Sequence, residues 1–264
     1  MTGSNQSNYM INKTLYTIVL LTAICCGQCR PKNHAAETID NIVTGISRMR
    51  IVSDETLRLS IYYPDFDKID VVCGEMPSSE DTSVIFCCEA AFTGQLLSTF
   101  SHMNIAGNHV SDGEYFNGYN CRSNTGGFTY DGKKWLFFLS NHKANLMRVV
   151  QSGGMGFEQN MVIFEGVKQP LFRKAGSAFE YRTLCELDGD LCIIDSKDVV
   201  RYDEYVEMLL KLGVHNALYL DMGPGWNYAF YRTNDGSLHT LHTQPAPGHD
   251  YRTNWVTFYK SGRM

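Results

Sequence analysis

The stretch from Val206 to Trp226 is VEMLLKLGVHNALYLDMGPGW, and it decides the fold. Apolar residues recur at three- and four-residue spacing over 202–212, which predicts an amphipathic helix. Gly213 follows where a left-handed cap most easily ends a helix. The next apolar run, 217–220, is too short for a helix and predicts a buried strand.

A carboxylate, Asp221, opens a glycine-rich loop at the carboxyl end of this strand. In sheets with helical crossovers, ligands gather outside the carboxyl ends of strands. We therefore expect a binding site here, formed by Asp221, Gly223, Gly225 and Trp226. The alternative interpretation is an ordinary turn beside a packed tryptophan.

The middle of the chain predicts short strands separated by turns. Residues 84–88 form a compact apolar run that ends at Glu89. An Asp-Gly pair at 131–132 predicts a hairpin turn, and a second pair at 188–189 predicts a two-residue hairpin turn. In the second hairpin, Cys185 faces Cys192, and we expect two buried free thiols there. The chain of 264 residues, 44% hydrophobic, can bury one substantial core and predicts one domain, over 52–264. The helix and strand patterns together predict an α+β fold with a twisted mixed β-sheet core and flanking helices.

The N-terminus has the pattern of an export signal. About ten apolar residues, 15–24, follow Lys13 and are too few to span a bilayer. Residues 1–29 are thus expected to be a signal peptide or a lipoprotein leader, with both alternatives open, and 30–51 a tether with an amphipathic segment. We expect a protein exported to the periplasm or outer cell envelope, which meets a membrane only through a lipid anchor.

Charge and motifs exclude several function classes. The net charge is −5 and no long Lys/Arg cluster occurs, so nucleic acid is not an expected partner. No nucleotide-binding glycine fingerprint occurs, and we expect no organic cofactor. The sequence leaves a divalent cation at Asp221 open. His239 and His242 would project to opposite faces of a strand, which disfavours a shared metal ion.

Four blocks of the chain resemble the phosphodiester glycosidase family, in the order typical of that family. Residues 212–226 are similar to its closing signature "lG..nAl.LDGG.S", and IFCCEAAF (85–92) to its strand ending "aiNggFF". Tyr181-Arg182 with 185–194 resembles "sR.aig...dG.l.lv", and TNWVTF (253–258) resembles the final strand. The chain departs from the family at Glu89, which replaces an asparagine, and at Trp226, which replaces a small hydroxyl residue.

This resemblance implies an exported hydrolase of a glycosyl phosphodiester or a related α-linked glycan. Two carboxylates, Glu89 and Asp221, would end neighbouring strands and act on the glycosidic bond. Arg182 would offer bidentate hydrogen bonds to the phosphodiester. In the alternative interpretation, Arg182 and Asp221 form a structural ion pair. The rival function is a non-catalytic envelope protein that binds sugars on Trp226.

A polar stretch between Phe92 and Asn124 is a further candidate for substrate binding. It is rich in His, Asn, Asp and Glu and only weakly periodic, and long polar insertions in compact domains are commonly binding loops. We expect His109, Asp112 and Asn124 to approach the carboxylates from the side.

Overall fold

The computed structural model describes residues 47–92, 105–118, 125–170, 173–174, 176–222, 227–242 and 253–261. All of them belong to one compact unit of the chain, residues 35–264. The expected leader, most of the tether, and Asn124, Gly223, Gly225 and Trp226 lie outside the described residues. In the described part, no helix is long and apolar enough to cross a membrane.

The described chain contains strands and helices in the following order. They are β1 (Met49–Asp54), β2 (Leu59–Pro64), β3 (Lys68–Gly74), β4 (Val84–Glu89), β5 (His109–Ser111), β6 (Glu114–Phe116), β7 (Gly126–Tyr130), β8 (Trp135–Phe138), α1 (His142–Val150), β9 (Met155–Gln159), β10 (Met161–Phe164), β11 (Val167–Lys168), β12 (Ala178–Phe179), β13 (Arg182–Leu187), β14 (Asp190–Ser196), β15 (Val200–Arg201), α2 (Tyr202–Leu212), β16 (Asn216–Leu220), β17 (Ala229–Arg232), β18 (Leu238–Leu241) and β19 (Thr253–Tyr259).

Most strands fall into three sheets. Sheet 1 has the order β1-β2-β14-β13-β16-β10-β11, sheet 2 has β18-β17-β4-β19-β3, and sheet 3 has β6-β5-β9-β7-β8. Strands β12 and β15 form a separate pair. All of these pairings are antiparallel within the described residues. The α+β class is confirmed, with strands dominant and spread over several antiparallel sheets instead of one mixed sheet.

The main core is shared by the three sheets. Leu218 of sheet 1, Phe86 and Val256 of sheet 2 and Phe157 of sheet 3 belong to one buried apolar cluster. The opposite face of sheet 1 carries a second cluster, which includes the buried side of α2. Strand β4 is apolar from Val84 to Cys88, and both of its faces are covered: Cys88 lies in the main core and Cys87 in a third cluster.

Two local predictions are confirmed. Helix α2 ends at Gly213, whose φ of 93° is left-handed and whose N–H bonds to the carbonyls of the last turn. Asp188 and Gly189 both have positive φ, as a type I′ turn requires, and the hairpin they form pairs Cys185 with Cys192. Both thiols are free and buried.

Candidate functional site

The ends of β4 and β16 meet through one backbone hydrogen bond. Asp221 N donates to Ala90 O at 3.1 Å, so the residues that directly follow the two strands are joined although the strands belong to different sheets. This contact brings the chain at Glu89 and the chain at Asp221 together at the edge where the two sheets meet. Glu89 is fully buried, and Asp221 is 6% exposed.

Glu89 is fixed by the neighbouring strand β19. The Thr253 hydroxyl donates to Glu89 Oε1 at 2.8 Å. The next residue, Asn254, holds the chain after β4: its side-chain amide donates to Ala91 O at 2.9 Å and accepts from Ala91 N at 2.7 Å. Its backbone carbonyl also accepts from Ala90 N at 3.0 Å. Three hydrogen bonds from one residue therefore set the direction in which the chain leaves β4.

Asp221 has Tyr219 as a neighbour, and Tyr219 in turn contacts an arginine. Burial raises the pKa of the Tyr219 hydroxyl, and the negative charge of Asp221 raises it further, so this hydroxyl keeps its proton at neutral pH. Arg173 Nη2 donates to Tyr219 Oη at 3.1 Å. The centroid of the Tyr219 ring also lies 5.6 Å from the centroid of the Phe92 ring. Asp221 thus lies in a polar environment with an aromatic border.

Arg182 is engaged in a buried ion pair with Asp195. Nε donates to Oδ1 at 2.8 Å and Nη2 to Oδ2 at 2.7 Å, with side-chain exposures of 0% and 6%. The third nitrogen, Nη1, donates to Asn227 O at 3.4 Å. The structural partner of Arg182 is therefore Asp195, whereas the sequence interpretation considered Asp221. Asp195 therefore occupies the bidentate edge of this guanidinium that the sequence interpretation assigned to a phosphodiester.

Further charges surround this ion pair. His242 lies with Nδ1 3.1 Å from Glu180 and Nε2 3.9 Å from Asp195. Burial raises the pKa of Asp195, but Arg182 and His242 together hold it below its ordinary value. The ring of His239 stacks on Tyr231 instead, with centroids 5.0 Å apart. The two histidines therefore serve different neighbours, as their strand spacing predicts.

His109 and Asp112 line a different cleft from the strand ends that carry Glu89 and Asp221. This cleft has a volume of about 560 Å³ and lies between β3 and the hairpin β5–β6. The hairpin is attached there because Ser111 Oγ donates to Val71 O at 2.7 Å. The lining residues are Asp70, Val71, Val72, Cys73, His109, Ser111, Asp112, Glu114, Phe116 and Tyr259. His109 and Asp112 therefore do not approach Glu89 and Asp221, in contrast to the sequence-based prediction.

His109 is a packed core histidine in this position. The side chain is 1% exposed and stacks on Phe116, with ring centroids 5.0 Å apart. Burial disfavours the charged ring and lowers the pKa of His109 to about 4. Asp112 occupies the hairpin turn with a φ of 50°. Both residues therefore have structural roles that explain their polarity.

Two buried carboxamides lie beside β16, and sequence reasoning missed them. Gln159 and Asn160 are both fully buried, and Asn160 O accepts from Tyr219 N at 2.9 Å. Within the part of the chain that the structure describes, Gln159 Nε2 and Asn160 Nδ2 have no hydrogen-bond partner. Unsatisfied buried donors of this kind are uncommon.

No group of three or more metal-ligating side chains occurs among the described residues. The sequence leaves a divalent cation at Asp221 open, and that alternative stays open. The ionisable groups near these strand ends are Glu89, Asp221, the protonated Tyr219 and, beside Tyr219, Arg173.

Comparisons with known proteins give a fold relationship. No protein-family model matches the chain, and no curated protein matches it. Among solved structures, it is similar to the catalytic domain of zebrafish N-acetylglucosamine-1-phosphodiester alpha-N-acetylglucosaminidase, auto-inhibited by its pro-peptide. The TM-score is 0.54 at 11% identity, over 81% of this chain and 82% of that one. A hypothetical protein from Synechocystis has a TM-score of 0.48 at 10% identity, over 83% of this chain and 60% of the other. The chain thus shares the fold of a phosphodiester glycosidase catalytic domain.

Proposed function

We propose that this protein hydrolyses a glycosyl phosphodiester or a related α-linked glycan, with Glu89 and Asp221 as the working carboxylates. The observation that carries the proposal is the hydrogen bond from Asp221 N to Ala90 O, which joins the two carboxylate-bearing strand ends. The shared fold with a phosphodiester glycosidase catalytic domain supports the same class of reaction. Activity in such a fold depends on the site, and these two residues supply it.

The reaction needs two carboxylates in different roles. The bond between the anomeric carbon and the phosphate oxygen breaks, water supplies the new oxygen on the anomeric carbon, and the phosphomonoester departs with the bonding electrons. One carboxylate takes a proton from water or attacks the anomeric carbon, and the other assists departure. A phosphate carries the departing charge well, so proton donation to it matters less than stabilisation of the positive anomeric carbon.

Residues around the carboxylates hold them in place. Thr253 fixes one Glu89 oxygen, and Asn254 fixes the chain directly after it. Arg182 acts through its pair with Asp195, which anchors the start of β13 beside Leu220 of β16. We assign Arg182 a positioning role at this edge.

The expected export of the chain belongs to the same proposal. The apolar run 15–24 and the cysteines that follow it favour a secreted or lipid-anchored protein of the cell envelope. Its substrates would then be glycans or glycosyl phosphodiesters outside the cytoplasm, without an organic cofactor.

A sugar-binding protein without catalysis is the second candidate. It is favoured by the altered closing loop, where Met222, Pro224 and Trp226 replace residues typical of the family. In that function Trp226 stacks on a sugar ring, and aromatic stacking contributes about 1 kcal/mol beyond area burial.

One experiment separates the two candidates. The purified chain is incubated with glycosyl phosphodiesters and with neutral oligosaccharides, and released sugar and bound sugar are measured separately. We expect released sugar. Binding without release across substrates that the protein binds overturns the hydrolase, and Trp226→Ala should then weaken binding about fivefold to tenfold.

A further inference from the structure

Arg173 is placed to recognise an anionic group next to Asp221. Its guanidinium carbon lies 5.3 Å from the ring centroid of Phe179 and 5.5 Å from that of Tyr219. One of its nitrogens, Nη2, donates to Tyr219 Oη at 3.1 Å. Two aromatic contacts and a hydrogen bond therefore hold one arginine in a fixed position at the end of sheet 1.

The same tyrosine links Arg173 to the carboxylate. Tyr219 and Asp221 are two residues apart, the spacing that puts extended residues on one side of a strand. Tyr219 is therefore a protonated bridge with a positive group on one side and a negative group on the other. Phe179, which contacts the guanidinium, is 45% exposed, so this part of the cluster is open to solvent.

This order of charges matches the hydrolysis of a glycosyl phosphodiester. Positive charge develops at the anomeric carbon and negative charge stays on the departing phosphate, so a carboxylate and a guanidinium that both interact with Tyr219 would stabilise both ends. Arg182 is a less suitable phosphate ligand because its guanidinium is fully buried against Asp195, whereas Arg173 is partly exposed. Stacking uses the flat faces of a guanidinium, whereas phosphate recognition uses its in-plane N–H groups.

We propose that Arg173 binds the phosphoryl group of the substrate, with Tyr219 holding the guanidinium at a fixed distance from Asp221. This inference rests on the proposed hydrolase function and makes it specific for anionic substrates. It assigns selectivity to a residue that precedes β12, outside the four blocks on which the family resemblance is based.

The test compares two substrates that carry the same sugar. One is a methyl glycosyl phosphodiester, which is anionic, and the other is a neutral aryl α-glycoside. Arg173→Met keeps an extended apolar side chain but removes the charge and the donors. We expect kcat/KM for the phosphodiester to fall about 10- to 100-fold, the range for lost hydrogen bonds to a charged group, while the value for the neutral glycoside changes less than about threefold.

Two further variants control for structure. Arg173→Lys keeps the charge without the planar fork and should recover part of the phosphodiester activity. Arg50→Met removes another arginine that stacks on a tyrosine, with its guanidinium carbon 3.5 Å from the Tyr63 ring centroid, and should leave both substrates unaffected. Equal losses on both substrates after Arg173→Met, or no loss on the phosphodiester, overturn the proposal.

The role of Arg173 remains testable without turnover. If the unmutated chain hydrolyses neither substrate, the hydrolase proposal fails, and calorimetric titration with inorganic phosphate then tests Arg173 alone. We expect phosphate binding that Arg173→Met weakens at least tenfold and that Arg50→Met leaves unchanged. Phosphate binding that is absent, or equal in the unmutated chain and Arg173→Met, overturns the inference.

Discussion

Removing one partner of the buried Arg182–Asp195 pair should destabilise the domain strongly. In Arg182→Met, Asp195 loses two charge-assisted hydrogen bonds of 2.8 and 2.7 Å and stays buried. Such a broken pair costs about 3–5 kcal/mol. His242, with Nε2 3.9 Å from Asp195, compensates in part, so we expect about 3–4 kcal/mol. At about 2–4 °C per kcal/mol for a domain of this size, Tm should fall by about 6–16 °C.

Urea unfolding followed by far-UV circular dichroism measures this loss. The matched control is Arg58→Met, because the Arg58–Asp198 ion pair is half exposed on both sides and should contribute no more than about 1 kcal/mol. In the double variant Arg182→Met with Asp195→Leu, the loss should be smaller than the sum of the two single losses. A loss below about 1 kcal/mol for Arg182→Met, equal to that of the control, would refute the argument.

Three further outcomes follow from the structure. NMR titration of His109 should give a pKa of about 4. Because the unfolded state binds this proton near pH 6.5, the free energy of unfolding should decrease by about 3 kcal/mol as the pH falls from 6.5 to 4. A measured pKa near 6.5 would contradict the burial of the ring. Gly154→Ala should destabilise the folded protein by about 1–3 kcal/mol or more, because the new Cβ would lie 2.2 Å from a backbone oxygen of β7. The control Gly176→Ala should be neutral, because its Cβ would meet nothing within 4 Å. Equal melting temperatures for the two variants would contradict the predicted clash. Finally, the thiols of Cys185 and Cys192, whose pKa values are raised by burial, should not react with Ellman's reagent at pH 8 until the protein is denatured, and rapid modification of the folded protein would argue against that burial.

Features encoded within a few neighbouring residues were predictable from the sequence. The Asp188-Gly189 turn sets the register of its hairpin because a type I′ turn fixes which residues face each other. The same register, extended three residues beyond Cys185 and Cys192, pairs Arg182 with Asp195. The partner of Arg182 could therefore have been found from the sequence by applying this rule further along the strands.

Features that depend on distant parts of the chain were not predictable in this way. Thr253 and Asn254 contact the Glu89 region across more than 160 residues, and Arg173 reaches Tyr219 across 46. No spacing rule connects such residues, since their proximity depends on how three sheets pack. For His109, sequence reasoning predicted a binding role that the structure does not have. The residue lies in a polar stretch, which suggested binding, but its ring is buried against Phe116.

The most direct test of the two carboxylates measures kcat for the hydrolysis of one glycosyl phosphodiester at saturating concentration. It compares the unmutated chain with the variants Glu89→Gln and Asp221→Asn. The control is Glu186→Gln, a carboxylate at the far end of the β13–β16 pairing, where Asn216 donates to it. We predict that kcat falls at least 100-fold for Asp221→Asn and falls clearly for Glu89→Gln, while Kd changes less than about threefold, because the lost charge acts mainly on the transition state. Glu186→Gln should keep the unmutated kcat. An Asp221→Asn variant that keeps more than a tenth of the unmutated kcat would contradict the carboxylate mechanism.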